Sequence, residues 1–373
     1  MPRKAKTASN QDDLGRIIEL RMEAWGLPAC PTKVALLEEA VRIADLHNDI
    51  DEGYDLRQDL MEAATFCGRD DVLLVAFAWC LGQFDRDPER FDEWDLLWKY
   101  KWVAVTAPDF PTISRAQIEA MLADLQRRFE AAGHSLHAVH QHRRDVLAGM
   151  NDVAGAREAH KLFARARRDR LSDCPACVQA NTGSYYELLA DWKRVWKSYA
   201  KIAEGTLRCH VEPLRSTSAA LIPLLRLGER DKAIALQTQA ARLLPKAEEP
   251  ARAAAKHVAF LAIIGETAKA KRIFERYLPV VLASVAPLDR FNLFIAGWLL
   301  LDRLAAKGPA VKLQLPPPFP PADDKGRREI ASLRDWLWRE AEKIAAQFDA
   351  RNQNNGYAQE LARAAALLDL AAN

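Results

Sequence analysis

Runs of alternating β-branched residues are missing from this 373-residue chain, so nothing in it reads as a half-buried strand. Long uncharged apolar runs are missing too. The most apolar stretch, 280–306, carries Asp289, Arg290, Asn292 and Asp302, which are too costly for a bilayer core. Neither sign of charge dominates: 53 Lys and Arg against 51 Asp and Glu leave +2. No overall field can therefore hold nucleic acid or an anionic membrane by counterion release. The opening MPRKAKTASNQ has no apolar segment behind it and reads as a frayed basic tail over 1–10, not as a signal peptide. Both common Gly-rich phosphate loops, the Gly-x-Ser-x-Gly elbow and paired helical histidines with an intervening Glu are absent. The expectation is a protein of the cytoplasm that is not an enzyme. Its six cysteines then read as reduced thiols or metal ligands.

What is present is helical period. Apolar residues are 49% and charged residues 28%, a balance that supports a packed core and excludes general disorder. Leu36, Leu37, Ala40, Ile43 and Ala44 form one stripe; Leu56, Leu60, Ala63, Ala64 and Cys67 form another, stopped at Gly68. The segment after Gly68 is apolar nearly all round and reads as a buried helix. Hairpins are expected from 134–149 with 152–168, 174–189 with 191–204, 211–227 with 229–244, and 249–264 with 266–282, while 287–307 stands alone. Pro316, Pro317, Pro318, Pro320 and Pro321 force an extended strap over 308–326. The segment 327–373 then caps a continuous array over 11–307.

Four turns repeat one pattern, at Asn151, Ala190, Gly228 and Gly265, spaced 39, 38 and 37 residues apart. Ala156, Val195, Ala233 and Ala270 follow at one offset, and His160, Tyr199, Gln237 and Phe274 at another. Such a period belongs to stacked helical hairpins that bury their apolar faces on one another. The later units resemble tetratricopeptide repeats: Gly228, Ala233, Ala240 and Pro245, and again Gly265, Ala270, Phe274 and Pro279, match that family's turn glycine, close-packing residues and terminating proline. These units exceed the family's length of about 34 residues and lack its first-helix Trp and Leu-Gly signals. The CPAC element at 174–177 and the FDARN element at 348–352 also resemble an uncharacterised bacterial group of such proteins. The resemblance implies an all-α, right-handed α-solenoid with a C-terminal helical cap, acting as a protein-binding scaffold. In that family a partner segment lies in the groove lined by the first helices. By offset from each turn, the groove residues here are Gln141, Asp145, Asn181, Ser184, Glu187, Arg215, Ser218 and Arg226, with the two arginines as anchoring donors. An inhibitor or immunity protein that wraps a toxin or enzyme is the alternative reading.

Four other groups can carry chemistry. Cys174, Cys177, Cys209 and His210 lie at the entries of consecutive first helices, where they suit a tetrahedral zinc ion, a thiol-redox role or plain packing. No other cofactor is expected. His134, His137, His140 and His142, with His160 on the next helix, suit a metal site or a packing role. Arg157, Lys161, Arg165 and Arg168 form a basic stripe, repeated by Lys193, Lys197 and Lys201, for an acidic partner segment, phosphates or solvent. Trp94, Trp98 and Trp102, and the pair Trp192 and Trp196, read as core or as aromatic pockets.

Overall fold

The structure, a computed structural model, describes the backbone of residues 2–209, 211–246, 251–317 and 319–371, and within these every side chain except those of 2–12, 246 and 371. The fold is an all-α helical-repeat fold whose backbone falls into two compact units, Met1–Thr106 and Ala107–Asn373. The array expected to run unbroken over 11–307 is divided at the Ala107-Pro108-Asp109 turn, where proline removes a helix donor and a short 3-10 turn takes over.

In the first unit α1 (Pro2–Trp25), α2 (Pro31–Leu46), α3 (Ile50–Cys67), α4 (Asp70–Arg86) and α5 (Glu93–Thr106) pack each against the next. The backbone of α1 takes in the segment read as a frayed tail. Gly68 ends α3 in the left-handed region at φ 72°, and the Arg69 N–H closes the turn onto the Ala64 carbonyl at 3.0 Å. Arg57 is buried in this unit, held by both carboxylate oxygens of Asp45 at 3.1 and 2.7 Å and lying 3.8 Å from the Trp79 ring centre.

The second unit holds α6 (Arg115–Ala131), α7 (His137–Gly149), α8 (Val153–Arg165), α9 (Pro175–Leu188), α10 (Trp192–Ala203), α11 (Leu214–Ala219), α12 (Leu221–Arg226), α13 (Arg230–Ala240), α14 (Ala251–Ile263), α15 (Thr267–Ala283) and α16 (Pro287–Ala305). A two-residue ribbon of β1 (Ala310–Val311) and β2 (Arg328–Glu329) then leads to α17 (Ile330–Asn352) and α18 (Gly356–Ala365). All four repeat turns are left-handed: Asn151 at φ 56°, Ala190 at 53°, Gly228 at 77° and Gly265 at 86°. In each, the next residue's N–H reaches back to a carbonyl inside the preceding helix, as Asp152 does to Leu147 at 2.8 Å and Glu266 to Leu261 at 2.9 Å. Asp152 and Asp191 cap the following helices by accepting from Gly155 and Arg194 at 2.9 and 3.1 Å. Ala156, Val195, Ala233 and Ala270 are fully buried at the helix crossings.

Two further expectations change. The first helix over 211–227 is split into α11 and α12 at Ala220, beside Pro213 and Pro223. The helix over 287–307 does not stand alone, because α16 packs on α14 and on α17. Gly297 makes the close crossing, since a Cβ there would sit 2.6 Å from Phe274 and 3.1 Å from Leu337. The strap lies over this pair. Phe319 packs its ring 6.2 Å from Phe294 and 4.3 Å from Trp336. Arg328 donates to the carbonyls of Leu315 at 2.8 Å and of Pro320, meeting strap carbonyls that no neighbouring strand pairs.

The FDARN element brings the end of the second unit back to its beginning. Arg351, buried, donates to the carbonyls of Pro108, Phe110 and Ile113 at 2.7, 3.1 and 3.1 Å. Asn352 accepts from Arg115 at 2.9 Å, and Asp349 caps α18 by accepting from the N–H groups of Tyr357 and Ala358 at 2.8 and 3.0 Å. Phe348 stacks on Tyr357, whose hydroxyl donates to Gly149 at 2.9 Å. Among the described residues no helix is long and apolar enough to cross a membrane.

Candidate functional site

Of the residues read as groove-lining, Asn181, Ser184 and Arg215 keep surface. Asn181 is half-buried and Ser184 exposed on α9; Arg215 on α11 is exposed, its Nε donating to Glu212 at 2.9 Å. Arg226 is half-buried over the Trp192 ring at 5.1 Å. Of the remainder, Gln141 and Ser218 are interior, and Asp145 and Glu187 are half-buried. Gln141 is 0% exposed and donates to Asp173 at 2.6 Å; Ser218 is 1% exposed and paired with His257 at 3.1 Å. Asp145 is held by the fully buried Arg144 at 2.8 Å, and burial pushes its carboxyl upward against the opposing pull of that guanidinium. Glu187 accepts from Tyr199 at 3.0 Å and pairs with Lys256 at 3.5 Å. The offsets assumed one packed face per first helix. Here Asp173 covers Gln141, Arg144 holds Asp145 and His257 of α14 covers Ser218, and so these three are corrected to structural positions.

The histidines do not converge. His137 and His160 lie against Phe163 at 4.7 and 5.9 Å between ring centres, and His160 stacks on Tyr185 at 4.3 Å. His134 and His142 instead face Asp169 and Asp173, at 3.5 and 3.6 Å. Arg144 lies 4.8 Å from the Phe163 ring centre, completing an aromatic and cationic layer that accounts for these rings as packing. The tryptophans are half-buried as well: Trp94 stacks on Trp98 at 5.1 Å, Lys99 covers Trp102, and Lys232 covers Trp196 at 5.0 Å.

Three thiols do meet. Cys174 is the N-cap of α9 and its sulfur accepts from the Cys177 N–H at 3.4 Å. The Cys177 sulfur is 3.4 Å from that of Cys209, and all three sulfurs lie within 4.8 Å of one another. Among the described residues no other His, Cys, Asp or Glu group converges as a metal site. His210, read as the fourth ligand, lies outside the described residues. Burial pushes the Cys177 thiol far up, with Arg215 opposing. Burial works the same way on Cys174, but hydrogen bonds from the α9 amides and neighbouring thiols outweigh it and its pKa falls.

The basic stripes are open to solvent. Arg157, Lys161 and Arg165 on α8 and Lys193, Lys197 and Lys201 on α10 are all exposed. Lys161 pairs with Glu158 at 2.7 Å. Arg168 leaves the stripe, because α8 ends at Arg165 and Ala166 turns the chain into extended backbone. The exposed row on α1 was missed: Leu14, Ile18, Met22 and Trp25 are 45, 61, 72 and 86% exposed, although their three- and four-residue spacing was legible. Neither a family model nor a curated protein sequence matches the chain.

Proposed function

We infer that this chain is a non-catalytic helical-repeat scaffold that binds an acidic helical segment of a protein partner along α8 and α10. The observation that carries this reading is the row Lys193, Lys197 and Lys201, exposed at four-residue intervals on α10, with Arg157, Lys161 and Arg165 one hairpin earlier. Four residues advance a helix by about 6 Å, so carboxylates at every fourth position of a partner helix match the row. Such pairs at a rim contribute chiefly encounter rate and register. Single-stranded nucleic acid is held by exposed aromatics between the cations for base stacking, and Trp192 and Trp196 on α10 are half-buried and turned to the core.

The test is fluorescence anisotropy with a helical peptide carrying Glu at every fourth position, its Lys counterpart, and a single-stranded oligonucleotide of equal charge. Binding should be confined to the Glu peptide and weaken with salt. Replacing Lys193, Lys197 and Lys201 together by Glu should lower affinity at least about tenfold, from under 1 kcal/mol per exposed pair. Tighter binding of the oligonucleotide would refute the reading. If instead Arg215→Glu with Arg226→Glu abolishes binding and the lysine reversals do not, the groove is the binding surface.

A further inference from the structure

Beside the connection between α10 and α11 lies, among the described residues, a satellite core of Ala176, Ala180 and Ile202, with Leu207, Cys174 and Cys209 packed at its edge. At that small core the fold brings together three sulfurs from two segments more than thirty residues apart. We propose that Cys174, Cys177 and Cys209 bind a zinc ion that staples the 204–213 connection to the N-terminus of α9.

The spacing suits a metal better than a disulfide. Four ligands about 2.3 Å from a tetrahedral zinc stand about 3.8 Å apart, and these sulfurs are near that spacing, at 3.4 Å for Cys177 and Cys209 and no more than 4.8 Å for any pair. A disulfide would draw two sulfurs to about 2.05 Å and leave the third idle. The group contains no carboxylate, which disfavours magnesium and calcium and selects a soft, thiophilic ion. Binding strips water from Zn²⁺ and releases the thiol protons to solvent; no electron moves. Three thiolates on one zinc carry a net charge of about −1, and the positive N-terminal end of α9 faces it, its Cys177 amide already pointing at the Cys174 sulfur.

The experiment uses the full chain, purified in a non-thiol reductant, loaded with zinc and desalted. Elemental analysis should find about one zinc per chain, and X-ray absorption should show three sulfurs at about 2.3 Å. Cys80 is buried in either state, whereas Cys174, Cys177 and Cys209 should be shielded from a thiol reagent until a chelator is added. Amide exchange in 204–213 should then rise while the helices elsewhere stay protected. Each of Cys174→Ser, Cys177→Ser and Cys209→Ser should drop zinc below about 0.2 per chain, with Cys30→Ser as the unaffected control. Should these variants misfold, the chelation of the unmodified chain still decides. Free reaction of Cys174, Cys177 and Cys209 with zinc present, fewer than three sulfurs around the metal, or a Cys177–Cys209 disulfide in place of bound zinc would each overturn the proposal.

Discussion

A histidine without exposed surface carries the clearest pH dependence in the molecule. His257 on α14 touches the Ser218 hydroxyl at 3.1 Å and the Gln237 amide at 3.3 Å, and burial lowers its pKa to about 4. These neutral partners suit a neutral ring. The unfolded chain protonates this histidine near 6.5, so between about 6.5 and about 4 falling pH favours unfolding, by up to about 3 kcal/mol. Above 6.5 the effect is absent. Burial first, then Arg144 and Arg194, lower His160 to about 4, which adds a loss in the same direction. Denaturant midpoints at pH 7 and pH 4.5 should show the loss, and His257→Gln should shrink it; an unchanged loss would rule out His257 as a source. Gly183 makes a steric prediction. A Cβ there would lie 2.2 Å from the buried Tyr199 ring, so Gly183→Ala should destabilise by about 2–3 kcal/mol, read by urea unfolding.

The hairpin turn is the element most fully written in the sequence. A chain that must reverse within one or two residues needs left-handed backbone, and Gly228 and Gly265 announce it. Ala190 adopts the same conformation at φ 53° with a side chain that opposes it, and was found through the repeat period alone. Ala190→Gly should therefore stabilise by about 1 kcal/mol, and Gly228→Ala should destabilise by a similar amount. Equal effects of both signs in urea titrations would support the turn geometry; a destabilising Ala190→Gly would contradict it. The site residues were less legible. Offsets along a helix say which side chains share a face, and Asn181 and Ser184 keep the surface expected of them. What covers that face is set by side chains of the next repeat, Asp173 and His257, which an offset along one helix does not record, and Gln141 and Ser218 lie in the interior.

At the scale of the second unit, the return of α17 and α18 to the 107–115 segment is the decisive feature. One guanidinium meets three backbone carbonyls across more than two hundred residues of sequence. Arg351→Met would leave those carbonyls without their donor and should cost about 3 kcal/mol or more. Hydrogen exchange should rise together in 107–115 and 348–365. A rise confined to one of the two segments would show that the contact does not couple them. Lysine should not rescue it, because a single ammonium on a flexible stem lacks the planar fork that reaches three acceptors.

Helix type, hairpin order, turn positions and the buried small residues at Ala156, Val195, Ala233 and Ala270 followed from the sequence alone, because each rests on contacts between residues a few positions or one repeat apart. The tertiary structure alone decided the division at Thr106, the partnership of α16 with α17 and the clamp by Arg351. These depend on where a chain returns after a strap or an irregular connection. No local period records such a path; it is set by which distant surfaces bury the most apolar area and satisfy the most backbone groups at once.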